Sequence, residues 1–259
     1  MAAQLRSASQ GRTMVLTVSN PEARNALGPE IYAAGVEALS AAESSPEVRS
    51  VVIVGEGSTF CAGGNLQRLQ ANRQQPAEVQ TRAVEGLNNW IEAIRAFPKP
   101  VLAAVEGAAA GAGFSLALAC DLIVAASDAV FVMAYSSVAL SVDGGGSWVL
   151  GRSLPRQLAS ELLLCGERIG AARLQEFGLV NRVVAPGTAL VEALTLADRL
   201  NARAPNALAS AKELLNEAPL TSLDRQLAAE RDHFVRNLHH PNAGIGIAAF
   251  LAKRSPDYE

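Results

Sequence analysis

The chain carries one local design twice: a short unbroken apolar run, then a glycine loop, then a helix-forming stretch. The first copy runs from VRSVVIV (48–54) through GEGSTFCAGGNL (55–66). The second runs from VLAAV (101–105) through EGAAAGAG (106–113) into FSLALAC (114–120). Apolar runs of this length, bounded by turn residues, read as buried strands. Further strands are expected at 13–19, 122–125, 130–133 and 179–184. Helices are expected at 29–44, from about 77 to 97, and near 155–164 and 171–177. Strands and helices thus alternate over residues 1–186, whereas 187–259 are almost all helical, with breaks at Pro205, Pro219 and Pro241. The expected class is α/β: a core over 1–186 built from recurring units of two strands and a helix, and a C-terminal helical region over 187–259 that packs on the core or on a neighbouring subunit.

Composition removes several function classes. Apolar residues make up 49% and charged residues 18%, the balance of an ordinary soluble globular protein. A net charge of −3 with mixed signs offers no nucleic-acid surface and no polybasic membrane patch. The opening MAAQLRSASQGR has no signal-peptide core. The weakly polar stretch PVLAAVEGAAAGAGFSLALACDLIVAA contains Glu106, Asp121 and several glycines. It reads as strand, turn, helix and strand, not as a membrane span. Cys61, Cys120 and Cys165 are odd in number and widely spaced, which indicates reduced thiols in a cytoplasmic protein. His233, His239 and His240 all fall late in the chain, and the His pair reads as a helix end, so no metal site is expected.

The glycine loops are where chemistry is expected. Backbone N–H groups at a helix opening are free donors, and the helix dipole favours negative charge there. Gly63 and Gly64 in the first loop, and Gly111 and Gly113 in the second, let a ligand approach the main chain. Two such loops facing each other make a two-donor hole for a developing oxyanion. A third glycine cluster, SVDGGGSW (141–148), sets Asp143 before Gly144, Gly145 and Gly146. Read locally it is an Asp-Gly turn.

These segments together, in this order, resemble the enoyl-CoA hydratase/isomerase (crotonase) superfamily over nearly the whole chain. The resemblance rests on NPEARNAL (20–27), VRSVVIVGEGSTFCAGGNL (48–66), KPVLAAVEGAAAGAGFSLALACDLIVAA (99–126), AVFVMAYSSVALSVDGGGSWVL (129–150), ERIGAARLQEFGLVNRVV (167–184) and FLAKRSPDY (250–258). It implies a crotonase-like spiral of ββα units with a C-terminal helical region, assembled as a homotrimer or a dimer of trimers. It also implies an acyl-CoA thioester as ligand and no separate cofactor, since coenzyme A arrives as part of the substrate. By resemblance, the thioester carbonyl sits between the backbone N–H groups of Ala62 and Ala112, the latter replacing a more usual glycine. Arg24 and the loop containing Cys61, Gly63, Gly64 and Asn65 flank the coenzyme. Gly111, Ser115 and Tyr135 border the acyl group, with Phe114 beside it. Phe250 and Lys253 match tail positions that contact the coenzyme, often from a neighbouring subunit.

Two glutamates activate water in the family's hydratases, and their positions here hold Ser115 and Tyr135. Serine without a partner is no base at neutral pH, and tyrosine is a poor one. Asp143 remains. Its surroundings resemble the branch of 1,2-epoxyphenylacetyl-CoA isomerases, which form oxepin-CoA, and of related enoyl-CoA isomerases. A lone carboxylate suits a 1,3-proton shift: it removes a proton beside the thioester and returns it two carbons away. The pattern departs from that branch at Ala139, usually glycine, and at Val142, usually proline. Three other readings stay open at this point: hydration at a non-standard site, hydrolysis or dehalogenation with Asp143 as nucleophile, and a non-catalytic acyl-CoA-binding subunit. Glu106 and Asp121 are expected to be structural, Glu85 solvated, and Trp90 and Trp148 packing residues.

Overall fold

The computed structural model describes residues 3–258. Its strands are β1 (Gln4–Gln10), β2 (Thr13–Ser19), β3 (Ser50–Gly55), β4 (Val101–Val105), β5 (Ala108–Ala110), β6 (Leu122–Ala126), β7 (Val130–Val132), β8 (Arg168–Gly170) and β9 (Arg182–Val184). The helices are α1 (Pro29–Ser44), α2 (Leu66–Asn72), α3 (Ala77–Ala96), α4 (Ala112–Ala119), α5 (Gly146–Ser153), α6 (Arg156–Ser160), α7 (Ala171–Glu176), α8 (Ala189–Asn201), α9 (Pro205–Glu217), α10 (Leu223–Leu238) and α11 (Pro241–Leu251). The strand expected at 179–184 is confined to β9. The segments at β1, β5, β8 and α5 add elements beyond the expected set.

Two sheets form. The larger has the order β1-β2-β3-β4-β6-β9, and the smaller β5-β7-β8. β1 pairs antiparallel with β2, and β2, β3, β4, β6 and β9 run parallel. The chain lays one strand in the large sheet, the next in the small one, then a helix. β4, β5 and α4 make one such unit, and β6, β7 and α5 the next. In an earlier turn of the spiral the second strand shrinks to a single bridge, Cys61 to Ala109. Ala109 in turn pairs with Phe131 of β7, so Cys61, Ala109 and Phe131 stack as equivalent positions of three units.

The parallel strands β2, β3, β4 and β6 are buried on both faces, as such strands require, whereas β1 is an exposed edge. Leu16, Val18, Val51, Ile53, Val101, Ala103 and Val105 point into the main core with α1, α3 and α4. The alternate residues Val15, Val52, Val54, Leu102, Ala104 and Val124 meet α8 through Ala189, Ala193 and Ala197. Those alanines recur every four residues, so one smooth face of α8 lies flat on the sheet. The helical region from 187 therefore begins by closing the core. Glu106 holds the opening of α8, accepting from the N–H groups of Gly187 (3.0 Å) and Ala189 (2.8 Å). That is a structural role of the kind expected for it. Asp121 ties the helical region to the core by accepting from Val101 N–H and from Lys212 Nζ, each at 2.8 Å. Burial raises its pKa and Lys212 opposes that shift.

Beyond α8 the packing is looser. Leu215, Leu220, Leu223, Phe234, Phe250 and Leu251 all leave more than two thirds of their surface exposed, at 69–83%. Among the described residues no helix is long and apolar enough to cross a membrane.

Candidate active site

A cleft of about 460 Å³ opens where the small sheet, α1, α3 and the loop after β3 meet. Its floor is the pair of glycine loops. Residues 61–64 are stitched in from both sides. Leu27 N–H donates to the Gly63 carbonyl (2.7 Å), and Ala110 N–H donates to the Cys61 carbonyl (2.9 Å). Gly63 has φ +90°, and a methyl there would lie 2.6 Å from the Ala110 carbonyl oxygen and 3.3 Å from the Ala112 nitrogen. Only glycine lets the two loops touch at this point.

That stitching decides which amides are free. The Ala62 N–H donates to the Arg24 carbonyl at 3.0 Å, so it is spent within the fold and the assignment of Ala62 as a donor to ligand is corrected. The Gly64 amide, two residues on, has no acceptor among the described residues, and Gly64 lines the cleft. Ala112 also lines it. As the first residue of α4, Ala112 has an N–H that no helical carbonyl can reach. Gly64 and Ala112 thus give each glycine loop one unspent donor on the cleft wall. Asn65 follows at once and caps α2, its side chain accepting from Arg68 N–H at 3.0 Å.

Asp143 stands on the opposite wall. Gly144 (φ +58°) and Gly145 (φ +79°) are both left-handed, which turns the chain sharply into α5. Gly146 is needed for space: a methyl there would come within 2.8 Å of Met133 Cε and Ser115 Oγ. The turn brings the Asp143 carboxylate to the cleft, where Oδ1 accepts from the Tyr135 hydroxyl at 2.6 Å. Its main-chain carbonyl accepts from Ser115 Oγ at 2.8 Å. Burial raises the Asp143 pKa above the ordinary carboxylate range, and the Tyr135 hydrogen bond partly opposes the rise. The Tyr135 phenol is pushed upward, first by burial and then by the Asp143 charge. Tyr135 therefore stays protonated and donates.

The other anticipated residues divide. Gly63, Gly64, Asn65, Gly111 and Tyr135 line the cleft. Cys61 does not: it is fully buried beneath α4, where a methyl on Gly113 would strike its carbonyl oxygen at 2.5 Å. Burial pushes its thiol up to about 12, so it is inert packing and not part of a coenzyme site. Ser115 lies behind the Asp143 loop, bordering a second hollow with Gly144 and Trp148. Phe114 is buried against Phe131 at a ring distance of 5.0 Å, away from the acyl space. Arg24 contributes its carbonyl to the loop, while its side chain is exposed outside the cleft. Phe250 and Lys253 are exposed at the end of α11, and a single chain does not bring them to the cleft. The guanidinium groups of Arg95 (4.8 Å) and Arg152 (4.3 Å) both stack over the Trp148 ring. His240 caps α11, as a helix-end residue.

Sequence reading missed Tyr32 of α1, Leu87 of α3 and Arg68 of α2, all on the cleft wall. Arg68 pairs with Glu30 at 3.1 Å, with both side chains exposed. Their elements are amphipathic helices, and nothing in helical spacing distinguishes a cleft wall from a core face.

The enoyl-CoA hydratase/isomerase family model matches residues 9–259. The chain is similar to 1,2-epoxyphenylacetyl-CoA isomerase of Escherichia coli (strain K12), 37% identical over 246 residues, covering 95% of this chain and 94% of that protein. It is also similar to 2,3-dehydroadipyl-CoA hydratase of the same strain, 36% identical over 250 residues and 96% of each chain. The crystal structure of an enoyl-CoA hydratase from Polaromonas sp. JS666 matches with a TM-score of 0.98 and 71% identity, covering 99% of this chain and 100% of that one. The fold is the crotonase-like one these proteins share. Their names span isomerase and hydratase, so the choice of reaction falls to the side chains in the site.

Proposed function

The chain belongs to the enoyl-CoA hydratase/isomerase family, and on that footing we propose that it is an acyl-CoA isomerase, acting on an enoyl-CoA or on an epoxide- or oxepin-type CoA thioester. One observation carries the reading: Asp143 is the one carboxylate among the described residues lining the cleft. It is partly desolvated and aimed by a neutral phenol.

The chemistry follows from the two free amides and this acid. A thioester carbonyl oxygen placed between the Gly64 and Ala112 N–H groups gains charge when the neighbouring carbon loses a proton. Fixed donors stabilise that charge, and losing one such donor costs about 3–4 kcal/mol. For a 3-enoyl thioester, Asp143 takes the C2 proton. The C–H electron pair moves into the dienolate held by the two amides. Protonated Asp143 then returns the proton to C4, the carbonyl re-forms and the double bond settles between C2 and C3. The acid is regenerated and no water is consumed.

Hydration would need a group to activate water. The two positions where related hydratases hold glutamates donate hydrogen bonds to Asp143 here, which supports isomerisation. No cofactor beyond the coenzyme of the substrate is needed for these steps. The exposed Phe250 and the apolar side chains of α10 and α11 support a homotrimer or a dimer of trimers, in which Phe250 and Lys253 contact coenzyme bound to another copy.

The test is a pair of assays by ultraviolet absorbance. With trans-3-hexenoyl-CoA, the proposal expects conjugation to appear. With trans-2-hexenoyl-CoA, conjugation is expected to persist apart from the minor fraction that the reverse shift sets at equilibrium. Loss of the 2-enoyl signal with no action on the 3-enoyl substrate would make the protein a hydratase.

A further inference from the structure

Ser115 and Tyr135 stand where water-activating carboxylates would be, and both are already committed. Ser115 is buried on α4, three residues after Ala112, and its Oγ is bonded to the Asp143 carbonyl at 2.8 Å. Tyr135 approaches from the segment after β7 and bonds the Asp143 carboxylate at 2.6 Å. One residue holds the main chain of the acid and the other holds its side chain.

The Ser115 contact is close-packed. A methyl on Gly144 would lie 3.0 Å from Ser115 Cβ and 3.3 Å from Leu87 Cδ2, so the loop is pressed against α4 with no slack. Ala112 and Ser115 sit on one helical turn, so the amide facing the cleft and the anchor of the acid move as one body. The distance between proton carrier and oxyanion donor is thereby fixed by α4. Such distances govern rate: a misplacement of about 1 Å can cost about 100-fold.

We propose that Ser115 and Tyr135 are positioning residues for Asp143: Ser115 locks its main chain in register with the Ala112 amide, and Tyr135 holds Oδ1 so that Oδ2 carries the proton. The proposal rests on Asp143 being the proton carrier. Tyr135 keeps its own proton throughout, and the proton on Oδ2 comes from and returns to the substrate. The other ionisable groups on the same cleft are Tyr32 of α1 and Arg68 of α2, and Cys61 is buried close by. None of these is hydrogen-bonded to the Asp143 carboxylate among the described residues. Removing the phenol therefore acts on Asp143 directly, and since its hydrogen bond lowers the carboxylate pKa, its loss raises it.

The experiment measures kcat and KM against pH for wild type, Tyr135→Phe, Ser115→Ala and Asp143→Asn on trans-3-hexenoyl-CoA, with a thermal melt for each. Tyr135→Phe is expected to lose about 10- to 100-fold in kcat with KM within about twofold, and its acidic limb in kcat/KM moves to higher pH. Ser115→Ala loses about 10-fold in kcat, and its acidic limb moves less than that of Tyr135→Phe, because Ser115 reaches the carboxylate only through the Tyr135 hydroxyl. If Tyr135→Phe does not fold, 3-fluorotyrosine placed at position 135 replaces it. Its phenol is a stronger donor, so the limb moves to lower pH, and an unmoved limb refutes the assignment. If Asp143→Asn is inactive while the other two variants keep wild-type kcat and limb, the positioning roles are wrong and Asp143 stands. If Asp143→Asn remains active, or wild type leaves the substrate unconverted, the underlying reading of the site falls and this one with it.

Discussion

Gly63 and Gly64 are adjacent and look alike in sequence, yet the fold demands opposite things of them. Gly63 needs its left-handed φ of +90°, and a methyl there meets the Ala110 carbonyl oxygen at 2.6 Å and the Ala112 nitrogen at 3.3 Å. Both obstacles are main-chain atoms, so relief requires the two loops to separate. The left-handed strain alone is about 1–2 kcal/mol. The separation moves the Gly64 amide relative to the Ala112 amide. Spoiling one oxyanion donor costs about 100- to 1,000-fold in kcat. Gly64 has no such constraint: its φ is not positive, and a methyl meets only Leu69 Cδ1 at 3.8 Å. Its donor is the main-chain N–H, which alanine keeps. Gly63→Ala is therefore expected to lose at least about 100-fold in kcat on trans-3-hexenoyl-CoA while remaining folded by circular dichroism, and Gly64→Ala to stay within about threefold. A folded Gly63→Ala protein with wild-type kcat would refute the idea that contact between the loops sets the oxyanion site.

Three further outcomes follow from the same structure. The acidic limb of kcat/KM should lie above the ordinary aspartate range, because burial raises the Asp143 pKa and activity is lost as pH falls through that raised value. The same shift bears on stability: the folded state binds the proton more tightly than the unfolded one, so the Asp143 contribution falls as pH rises from its unfolded toward its folded pKa. Asp143→Asn should therefore melt higher than wild type at neutral pH, with the gap closing near about pH 3 in thermal scans. Glu106→Ala removes the acceptor for two N–H groups opening α8 and should cost about 1–2 kcal/mol in urea unfolding, with kcat unchanged. Ala139 sits at φ +56°, so Ala139→Gly should stabilise the protein by about 0.5–1 kcal/mol in the same assay.

Much of the fold was legible because the strands that matter most are chemically plain. VVIV and VLAAV are apolar at every position because β3 and β4 are covered on both sides. β5 was not legible: three alanines have no strand preference, and they pair because Cys61 and Phe131 flank them in register. α5 was missed because it opens with Gly146, which local propensity reads as a break. Tertiary packing against Met133 and Ser115 requires that glycine. The general position of the site was visible in the three glycine clusters, and Asp143 in the third of them. Which amide is free was not, because Ala62 is spent on Arg24, a partner almost forty residues earlier that spacing cannot reveal. Cys61 and Ser115 lie beside cleft residues in sequence, but both turn inward. Along the tight loop at Cys61, and around the first turn of α4 at Ser115, neighbours point to opposite sides of the wall.

Every step of the proposed proton shift passes through Asp143 as the single proton carrier. The direct test is the rate at which wild type and Asp143→Asn convert trans-3-hexenoyl-CoA to its conjugated isomer. Asparagine keeps the shape of the side chain and can still accept from Tyr135, but it cannot carry the proton. The expected result is a loss of at least about 100- to 10,000-fold in kcat with KM little changed. Equal rates for the two proteins would contradict the account.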